Sequence, residues 1–237
     1  MMHPMLAEWL GTALLIILGN GVVANVVLPH SKGQGGGWIV IAFGWAMAVF
    51  VGVYVSAPHS GAHLNPAVSI ALATLGQFAW SDVPMYIGAQ LLGAFTGAAV
   101  VAMVYKHHFD ACKEAALQLA VFSTTPAIEG KMQNLFTEAI ATVVLILGIL
   151  FIKSPQDSLG ALDALPVSLL VLAIGLSLGG PTGYAINPAR DLGPRLLYTF
   201  FPFKHKGTAR WDYAWVPVLG PVLGAVVAAF LYMQFTA

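Results

Sequence analysis

The sequence predicts an all-α membrane protein with six transmembrane helices and two shorter re-entrant half-helices, arranged as two inverted repeats. Composition is the first reason, because 58% of the 237 residues are apolar and 8% are charged. The mean hydropathy of +0.81 lies well outside the range of soluble domains. The second reason is a series of uncharged apolar segments of bilayer-spanning length. The third is an Asn-Pro-Ala triplet that occurs twice, at 65–67 and at 187–189.

Six segments have the length of transmembrane helices, which need about 20 mostly apolar residues. They are the segments 5–27, 38–56, 85–105, 135–152, 166–179 and 213–234. Because six crossings nearly exhaust the chain, we expect one transmembrane domain over residues 1–237 and no separate soluble domain. The start of the chain lacks a basic region and a small-residue cleavage site, so we interpret it as a retained helix.

Two further apolar segments, 66–80 and 188–201, are short once the Gly-, Pro- and Asn-rich residues before them are set aside. Each begins at an Asn-Pro-Ala triplet. Non-helical backbone at membrane depth has to be buried or line water, since an unpaired carbonyl facing lipid costs several kcal/mol. We therefore predict two re-entrant helices that line a water-filled path, and not a seventh crossing. The alternative, two coincidental helix caps in buried loops, does not account for the duplication.

The two halves of the chain match in order as well as in composition. The segment around Glu8 parallels the segment around Glu138, and the triplets align Asn65 with Asn187. Each half also carries a GxxxG pattern, a spacing that lets membrane helices approach closely. Three crossings in each half mean that the second half enters from the opposite face, so the repeats are inverted. The predicted repeats cover about residues 5–105 and 133–234.

Each triplet has the chemistry of a helix start. Proline suits the first helical position, and asparagine is a favoured N-cap whose side-chain oxygen accepts from the helix backbone. The amide hydrogens of both asparagines are then available to a molecule at the bilayer midplane. The positive ends of two helix dipoles meet there and disfavour cations. The candidate residues are Asn65, Pro66, Ala67, Asn187, Pro188 and Ala189.

The paired motifs SGAHLNPAV and GYAINPARDLGP resemble those of the aquaporin, or major intrinsic protein, family, and in particular its aquaglyceroporin or glycerol-facilitator branch. The resemblance extends over nearly the whole chain. It implies an aquaporin-like fold with a pore in each protomer of a homotetramer. It also implies passive conduction of glycerol, water and other small uncharged solutes, with ions and protons excluded, no cofactor, no metal and no enzymatic activity.

The resemblance places a selectivity filter on the outer side of the triplets, at Trp45, Gly175, Tyr184 and Arg190. Gly175 would open space, Trp45 and Tyr184 would form an apolar corner, and Arg190 would supply fixed donors. Such a corner suits a polyol, whose carbons can lie on aromatic rings while its hydroxyls meet donors. Tyr184 departs from the phenylalanine that glycerol facilitators commonly have. Further similarities to the polyol-conducting branch are Asp191, Arg195 and Pro217.

The segments before the triplets are predicted to line the path with backbone carbonyls, namely those of Gly61, Ala62, His63, Gly183 and Ala185. Glu8 and Glu138 lie in apolar helices, where ionisable residues are functional candidates by default. One interpretation is that they carry protons. The other, which their duplicated positions favour, is that each braces a re-entrant loop by accepting hydrogen bonds from its backbone.

Charge and cysteine content exclude other classes of partner and site. Ten basic and ten acidic residues leave no net charge and no basic patch, which argues against binding to nucleic acid. Cys112 has no companion at disulfide or metal spacing, and we expect a loose loop thiol. His107 and His108 indicate a solvated loop. A coupled secondary transporter remains the rival function, because it also uses inverted repeats and broken helices. A purely structural or adhesive membrane protein would leave the duplicated elements without a role.

The candidate solutes are glycerol, water, urea, dihydroxyacetone, lactic acid and hydrogen peroxide. The resemblance implies a multi-pass protein of the plasma membrane with both termini in the cytoplasm. That orientation leaves Lys153 as the one loop cation inside, whereas the positive-inside rule favours the reverse. We follow the family, because Arg190 and Arg195 are expected to be buried and therefore do not count as loop charges.

Overall fold

Helices make up all of the regular secondary structure in the part of the chain that the computed structural model describes, residues 2–152 and 158–237. Lys153, which entered the prediction of orientation, lies outside the described residues. In chain order the helices are α1 (Pro4–Val27), α2 (Gly37–Ser60), α3 (Pro66–Thr74), α4 (Val83–Val104), α5 (Lys106–Ala111), α6 (Ala115–Phe122), α7 (Lys131–Phe151), α8 (Leu165–Ser177), α9 (Pro188–Phe200) and α10 (Val216–Thr236).

Six of these helices are long and apolar enough to cross a membrane, which confirms the predicted number of crossings. They are α1, α2, α4, α7, α8 with the 3-10 turn Gly160–Ala164 that precedes it, and α10. The two short helices α3 and α9 begin at the two triplets, as predicted. Helix α3 ends earlier than expected, at Thr74, because Gly76 has a φ of 70° and turns the chain away.

One short helix and one buried thiol differ from the predictions. Helix α5, which carries His107 and His108, stands where a solvated loop was predicted, and an ion pair of 2.5 Å joins Lys106 to Asp110 across one turn of it. Cys112 does lie in a connecting segment, but its side chain is 2% exposed and belongs to the main hydrophobic core. The prediction of a loose thiol is therefore wrong, because Cys112 belongs to a core cluster that includes residues distant in sequence, among them Tyr198 and Phe203.

The GxxxG patterns pack helices together within the chain. A Cβ built at Gly97 on α4 would lie 2.9 Å from the Cβ of Ile16 on α1, and one built at Gly224 on α10 would lie 2.8 Å from that of Thr142 on α7. Such distances leave no room for a side chain, so glycine is what allows the backbones to approach. The glycines that share this role are Gly93, Gly97, Gly220 and Gly224.

The two short helices pack across the halves of the chain. Helix α3 of the first half contacts α10 of the second, and α9 of the second half contacts α4 of the first. Gly193 permits the second of these contacts, since a Cβ there would lie 2.6 Å from the Cβ of Ala94. The short helices thereby place the two triplets in the middle of the bundle, where the candidate site lies.

Candidate functional site

Both short helices start at an asparagine that caps them. The Asn65 side-chain oxygen accepts from the backbone N–H of Ala67 at 2.9 Å. The Asn187 side-chain oxygen accepts from Ala189 at 3.0 Å and from Arg190 at 3.2 Å. The proline after each asparagine occupies the first helical position, where its missing N–H leaves nothing unpaired. The local sequence thus determines where each short helix begins.

The same two asparagines connect the two helix starts to each other. Asn65 Nδ2 donates to the carbonyl of Ile186, and Asn187 Nδ2 donates to the carbonyl of Leu64, both at 2.8 Å. We predicted that both amide hydrogens of each asparagine face outward, but one of each pair makes this cross-connection. The second hydrogen has no acceptor among the described residues. Both asparagine side chains line a cavity that also borders Leu64 and Ile186, which we name the inner cavity, and we name the cavity that borders Trp38 and Gly183 the outer cavity. Each asparagine therefore keeps one donor for a molecule in the inner cavity.

The backbone before the two asparagines has the same unusual conformation in both halves. Ala62 and Leu64 have φ values of 52° and 50°, and Tyr184 and Ile186, at the equivalent positions, have 38° and 45°. This left-handed region costs a residue with a side chain about 1–3 kcal/mol. Because the strain recurs at matching positions, the surrounding contacts have to hold these loops in place.

The strained loops leave a set of backbone carbonyls without partners. No N–H or hydroxyl group of the described residues donates to the carbonyls predicted to line the path. Four of these residues border the inner cavity and the other, Gly183, borders the outer cavity. Buried carbonyls need a hydrogen-bond partner, and those of His63 and Ala185 belong to buried residues, whereas Gly61, Ala62 and Gly183 are more exposed. All five oxygens are therefore available to a molecule in the path. They belong to Gly61, Ala62, His63, Gly183 and Ala185.

A buried carboxylate holds the first loop. Glu8 Oε1 accepts from the backbone N–H of His63 at 2.9 Å and from the Ser60 hydroxyl at 2.6 Å. Its Oε2 accepts from the N–H of Leu64 at 2.7 Å and from the Gln90 amide at 2.8 Å. Four hydrogen bonds to one buried carboxylate compensate the cost of taking its charge out of water.

Glu138 has the equivalent place in the second half. Its Oε1 accepts from Thr182 Oγ1 at 2.6 Å and from the N–H of Ala185 at 2.9 Å, and its Oε2 accepts from the N–H of Ile186 at 2.9 Å. Neither glutamate borders either cavity. Because both oxygens of each carboxylate are occupied by loop donors, the geometry favours bracing over proton carriage.

The inner cavity, of about 190 Å³, and the outer cavity, of about 360 Å³, share three lining side chains, and we call the position of these side chains the constriction. Trp45, Tyr184 and Arg190 border both cavities. The Arg190 guanidinium carbon lies 4.3 Å from the centre of the Trp45 ring, a cation–π arrangement. Arg190 Nη1 and the Tyr184 hydroxyl are buried and have no hydrogen-bond partner among the described residues. This constriction therefore combines an aromatic surface with unpaired polar groups.

The lining of the inner cavity combines polar and apolar groups. The strained loops and the two asparagines supply the polar groups. The rest of the lining includes aliphatic side chains from several helices, among them Leu15, Val49, Val53, Leu145 and Ile149. A molecule with hydroxyl groups on a carbon chain meets complementary groups in this lining, because its polar groups can be paired while its carbons stay out of water.

The space beside Gly175 is used differently from the prediction. We expected its missing side chain to open space in the path. A Cβ there would lie 2.9 Å from Cζ of Tyr184, so the tyrosine ring fills that space. The Gly175 carbonyl accepts a hydrogen bond from the Trp38 indole at 2.8 Å. Trp38 was missed as a site residue, although it stands two helical turns before Trp45 on the same face of α2, and that spacing is a usable signal.

Asp191 and Arg195 form a buried ion pair beside the site. Arg195 Nε donates to Asp191 Oδ1 at 2.7 Å, and Arg195 also donates to the carbonyl of Ala209 at 2.6 Å. Asp191 Oδ2 accepts from the backbone N–H of Thr124 at 2.8 Å. Because Arg195 engages both oxygens of Asp191, this carboxylate does not pair with Arg190.

Six membrane-crossing helices packed around two short helices that meet at their N-terminal ends, with two cavities that share the residues of the constriction, define a transmembrane channel of the aquaporin fold. The chain belongs to the major intrinsic protein family, whose sequence model matches residues 1–232. It is a multi-pass membrane protein.

Relatives and a solved structure cover almost the whole chain. The chain is 54% identical over 231 residues to a probable glycerol uptake facilitator protein of Thermotoga maritima, covering 98% of each. It is 48% identical over 235 residues to a glycerol uptake facilitator protein of Streptococcus pneumoniae, covering 99% of this chain and 100% of that one. The structure of the aquaglyceroporin from Plasmodium falciparum matches with a TM-score of 0.87 at 36% identity, over 99% of this chain and 96% of that chain.

Proposed function

We propose that this protein is a passive channel of the plasma membrane that conducts glycerol, water and other small uncharged solutes, and excludes ions and protons. The observation that carries the proposal is the constriction of Trp45, Tyr184 and Arg190, which line both cavities. Two rings present carbon-binding surface there, and Arg190 Nη1 and the Tyr184 hydroxyl present unpaired polar groups. Glycerol has the matching chemistry, and the relatives from Thermotoga maritima and Streptococcus pneumoniae are named as glycerol uptake facilitators.

The proposed range of solutes follows from the same chemistry. Each candidate is small, carries no net charge in its conducting form, and can exchange hydrogen bonds with the loop carbonyls and the asparagine amides. Besides glycerol and water, we include urea, dihydroxyacetone, lactic acid in its protonated form and hydrogen peroxide. The tyrosine ring above Gly175 limits the width of the constriction.

Exclusion of charge is proposed to have two sources. The free amide hydrogens of Asn65 and Asn187 orient a central water molecule as an acceptor, which interrupts proton relay along the water column. The positive ends of α3 and α9 and the guanidinium of Arg190 add an electrostatic barrier to cations. Both sources lie on the path, and neither requires a conformational change.

The individual residues have the following proposed roles. The filter comprises Trp45, Gly175, Tyr184 and Arg190, with Gly175 acting by giving room to the tyrosine ring. The triplets Asn65–Pro66–Ala67 and Asn187–Pro188–Ala189 start the half-helices, and Glu8 and Glu138 brace the loops before them. The repeats of about residues 5–105 and 133–234 are proposed as the structural units, each with one triplet and one bracing glutamate.

Assembly and orientation are proposed from the family resemblance alone. We propose a homotetramer in which each chain has its own pore, with both termini in the cytoplasm. The GxxxG glycines do not contribute to the tetramer proposal, since they pack α4 on α1 and α10 on α7 inside one chain. Conduction through such a pore makes and breaks no covalent bond, so we propose that the protein is not an enzyme.

A coupled secondary transporter is the rival function, and the cavity walls argue against it. Such a transporter needs a titratable or ion-coordinating centre on its path. Among the described residues, the glutamates in the membrane lie off the cavities. His63 borders the inner cavity, but its Nδ1 is engaged by Ser69 at 2.9 Å and its ring packs against those of Phe78 and Tyr86.

Stopped-flow light scattering on proteoliposomes separates the two functions. The protein is reconstituted, glycerol flux is measured over a range of concentrations with and without a proton gradient, and vesicles without protein give the background. We expect a flux above background that rises in proportion to the glycerol gradient and does not respond to the proton gradient. Saturable flux that depends on the proton gradient would instead establish the coupled transporter.

A further inference from the structure

Trp38 touches two parts of the constriction that are far apart in sequence. Its indole N–H donates to the carbonyl of Gly175 at 2.8 Å. Its ring lies edge-on to Tyr184, with the ring centres 5.7 Å apart and an interplanar angle of 75°, a preferred arrangement for two aromatic rings. Trp38 thus connects the beginning of α2, the end of α8 and the loop before α9.

The hydrogen bond of Trp38 meets a need created by the end of α8. The last carbonyls of a helix have no intrahelical partner, and Gly175 lies in the last turn of α8, which ends at Ser177. The indole of Trp38 provides the missing donor. Because this bond fixes the indole against α8, its ring edge has a defined position toward Tyr184.

Two glycines one helical turn apart make room for both rings. A Cβ at Gly175 would lie 3.0 Å from the Tyr184 hydroxyl, and a Cβ at Gly179 would lie 2.5 Å from Tyr184 Cδ1 and 2.7 Å from Trp38 Cζ2. The rings therefore rest on bare backbone. A side chain at Gly179 would displace both of them, and displacement moves the tyrosine toward the path.

Packing is the main restraint on the tyrosine ring. The Tyr184 hydroxyl has no hydrogen-bond partner among the described residues, and its backbone is in the left-handed region with φ of 38°. The edge of Trp38 stands behind the ring, on the outer-cavity side that both residues border. If Trp38 were smaller, the tyrosine ring could withdraw from the constriction.

We propose that Trp38 is a positioning residue of the constriction, which sets the largest solute that passes by holding the Tyr184 ring in place opposite Trp45 and Arg190. The inference rests on the proposed function as a solute channel. The inference concerns the largest solute that can pass the constriction, and not whether the protein conducts solutes. Trp38 acts through Tyr184, so its effect has to disappear when the tyrosine ring is absent.

The test measures the permeability of a four-carbon polyol, erythritol, relative to that of glycerol in proteoliposomes. For Trp38→Ala we expect this ratio to rise about threefold or more, and for Trp38→Phe, which keeps a ring but loses the hydrogen bond, by a smaller factor. Trp80→Ala is the matched control, because Trp80 is 58% exposed and borders neither cavity. A ratio depends little on the amount of folded protein, which a merely structural effect would change.

Two further variants make the test decisive. In a Tyr184→Ala background we expect Trp38→Ala to add little, since contacting residues are not additive. We expect Gly179→Ala to lower the ratio, because it pushes the ring into the path. An unchanged ratio in both Trp38 variants, or a full additional rise in the Tyr184→Ala background, overturns the inference. The proposed function is tested separately, by the glycerol flux of the unmodified protein. Absence of that flux overturns the proposed function itself, whereas the permeability ratio of the variants tests only the role of Trp38.

Discussion

Arg190 dominates the site at the scale of single residues, because its charge is buried on the path and forms no ion pair with the carboxylates that the structure describes. The neighbouring carboxylate of Asp191 is engaged by Arg195 at 2.7 Å. The Arg190 guanidinium instead lies over Trp45 with Nη1 unpaired among the described residues. A fixed positive charge in a narrow, weakly solvated passage repels cations strongly. The same nitrogen can donate to an uncharged solute.

The substitution Arg190→Val removes this charge and leaves the other side chains that line the path unchanged. We expect vesicles with the variant to leak protons or small cations, with glycerol flux retained, as measured with an entrapped pH-sensitive dye. Arg210→Val serves as the control, because Arg210 pairs with Glu129 at 2.9 Å away from the cavities. If the proton leak of the Arg190 variant equals that of the control, Arg190 is not the barrier.

Tyr184→Phe tests the unpaired hydroxyl. A buried hydroxyl without a partner costs about 1–3 kcal/mol, so the variant is expected to unfold at the same or a higher temperature in detergent. Its glycerol permeability is expected to fall about threefold if the hydroxyl pairs with the solute. Lower thermal stability together with unchanged permeability would show that the hydroxyl has a structural partner and no part in conduction.

At the scale of elements, two short helices are held at the middle of the bundle by loops that would not be stable alone. Each loop has two non-glycine residues in the left-handed region. Glu8 and Glu138 offset that strain with hydrogen bonds to consecutive backbone N–H groups. The strained loop conformation depends on the carboxylate, since its removal leaves the loop with unpaired buried N–H donors.

Glu8→Gln puts a donor where the loop needs an acceptor. We expect a loss of stability of about 3 kcal/mol, since hydrogen bonds to charged groups are worth about 1.5–3 kcal/mol each, and a parallel loss of glycerol flux. Thermal unfolding in detergent measures the stability. Glu129→Gln is the control, because its carboxylate is exposed and serves only a surface ion pair. A variant with full stability and flux but altered proton coupling would favour the carrier interpretation.

Helix contacts through glycine allow a second prediction about elements. Gly97→Ala and Gly224→Ala place a methyl group against the facing helix, and overpacking of this kind costs about 1–3 kcal/mol. Gly88 lies in the same helix as Gly97 and meets no atom within 4 Å. Gly88→Ala is therefore expected to leave stability unchanged or raise it. Equal unfolding temperatures for all three variants would contradict the packing described above.

At the scale of the whole molecule, the sequence was enough to predict the crossings, the two helix starts and the paired glutamates. These features depend on local composition and on matching between the halves. The bonds from Asn65 to Ile186 and from Asn187 to Leu64 were not predictable in this way, because each partner lies more than a hundred residues away. Burial of Cys112 has the same cause: its surroundings come from segments far along the chain.

The selectivity filter also depends on contacts between distant residues that the sequence did not predict. The family resemblance identified four positions, but the space above Gly175 belongs to the Tyr184 ring, and the indole behind that ring comes from Trp38. A glycine in a sequence does not reveal which neighbouring side chain will fill the space that its missing side chain leaves. Packing decides the shape of the constriction, while sequence decides its chemistry.

A density map of the protein in lipid nanodiscs with glycerol is the most direct test that solutes pass through one chain between the two half-helix tips. We expect solute density in single file from the outer cavity, past Trp45, Tyr184 and Arg190, to the amides of Asn65 and Asn187. Half-helix tips that stand apart, or side chains that fill the space between the two cavities, would contradict the account.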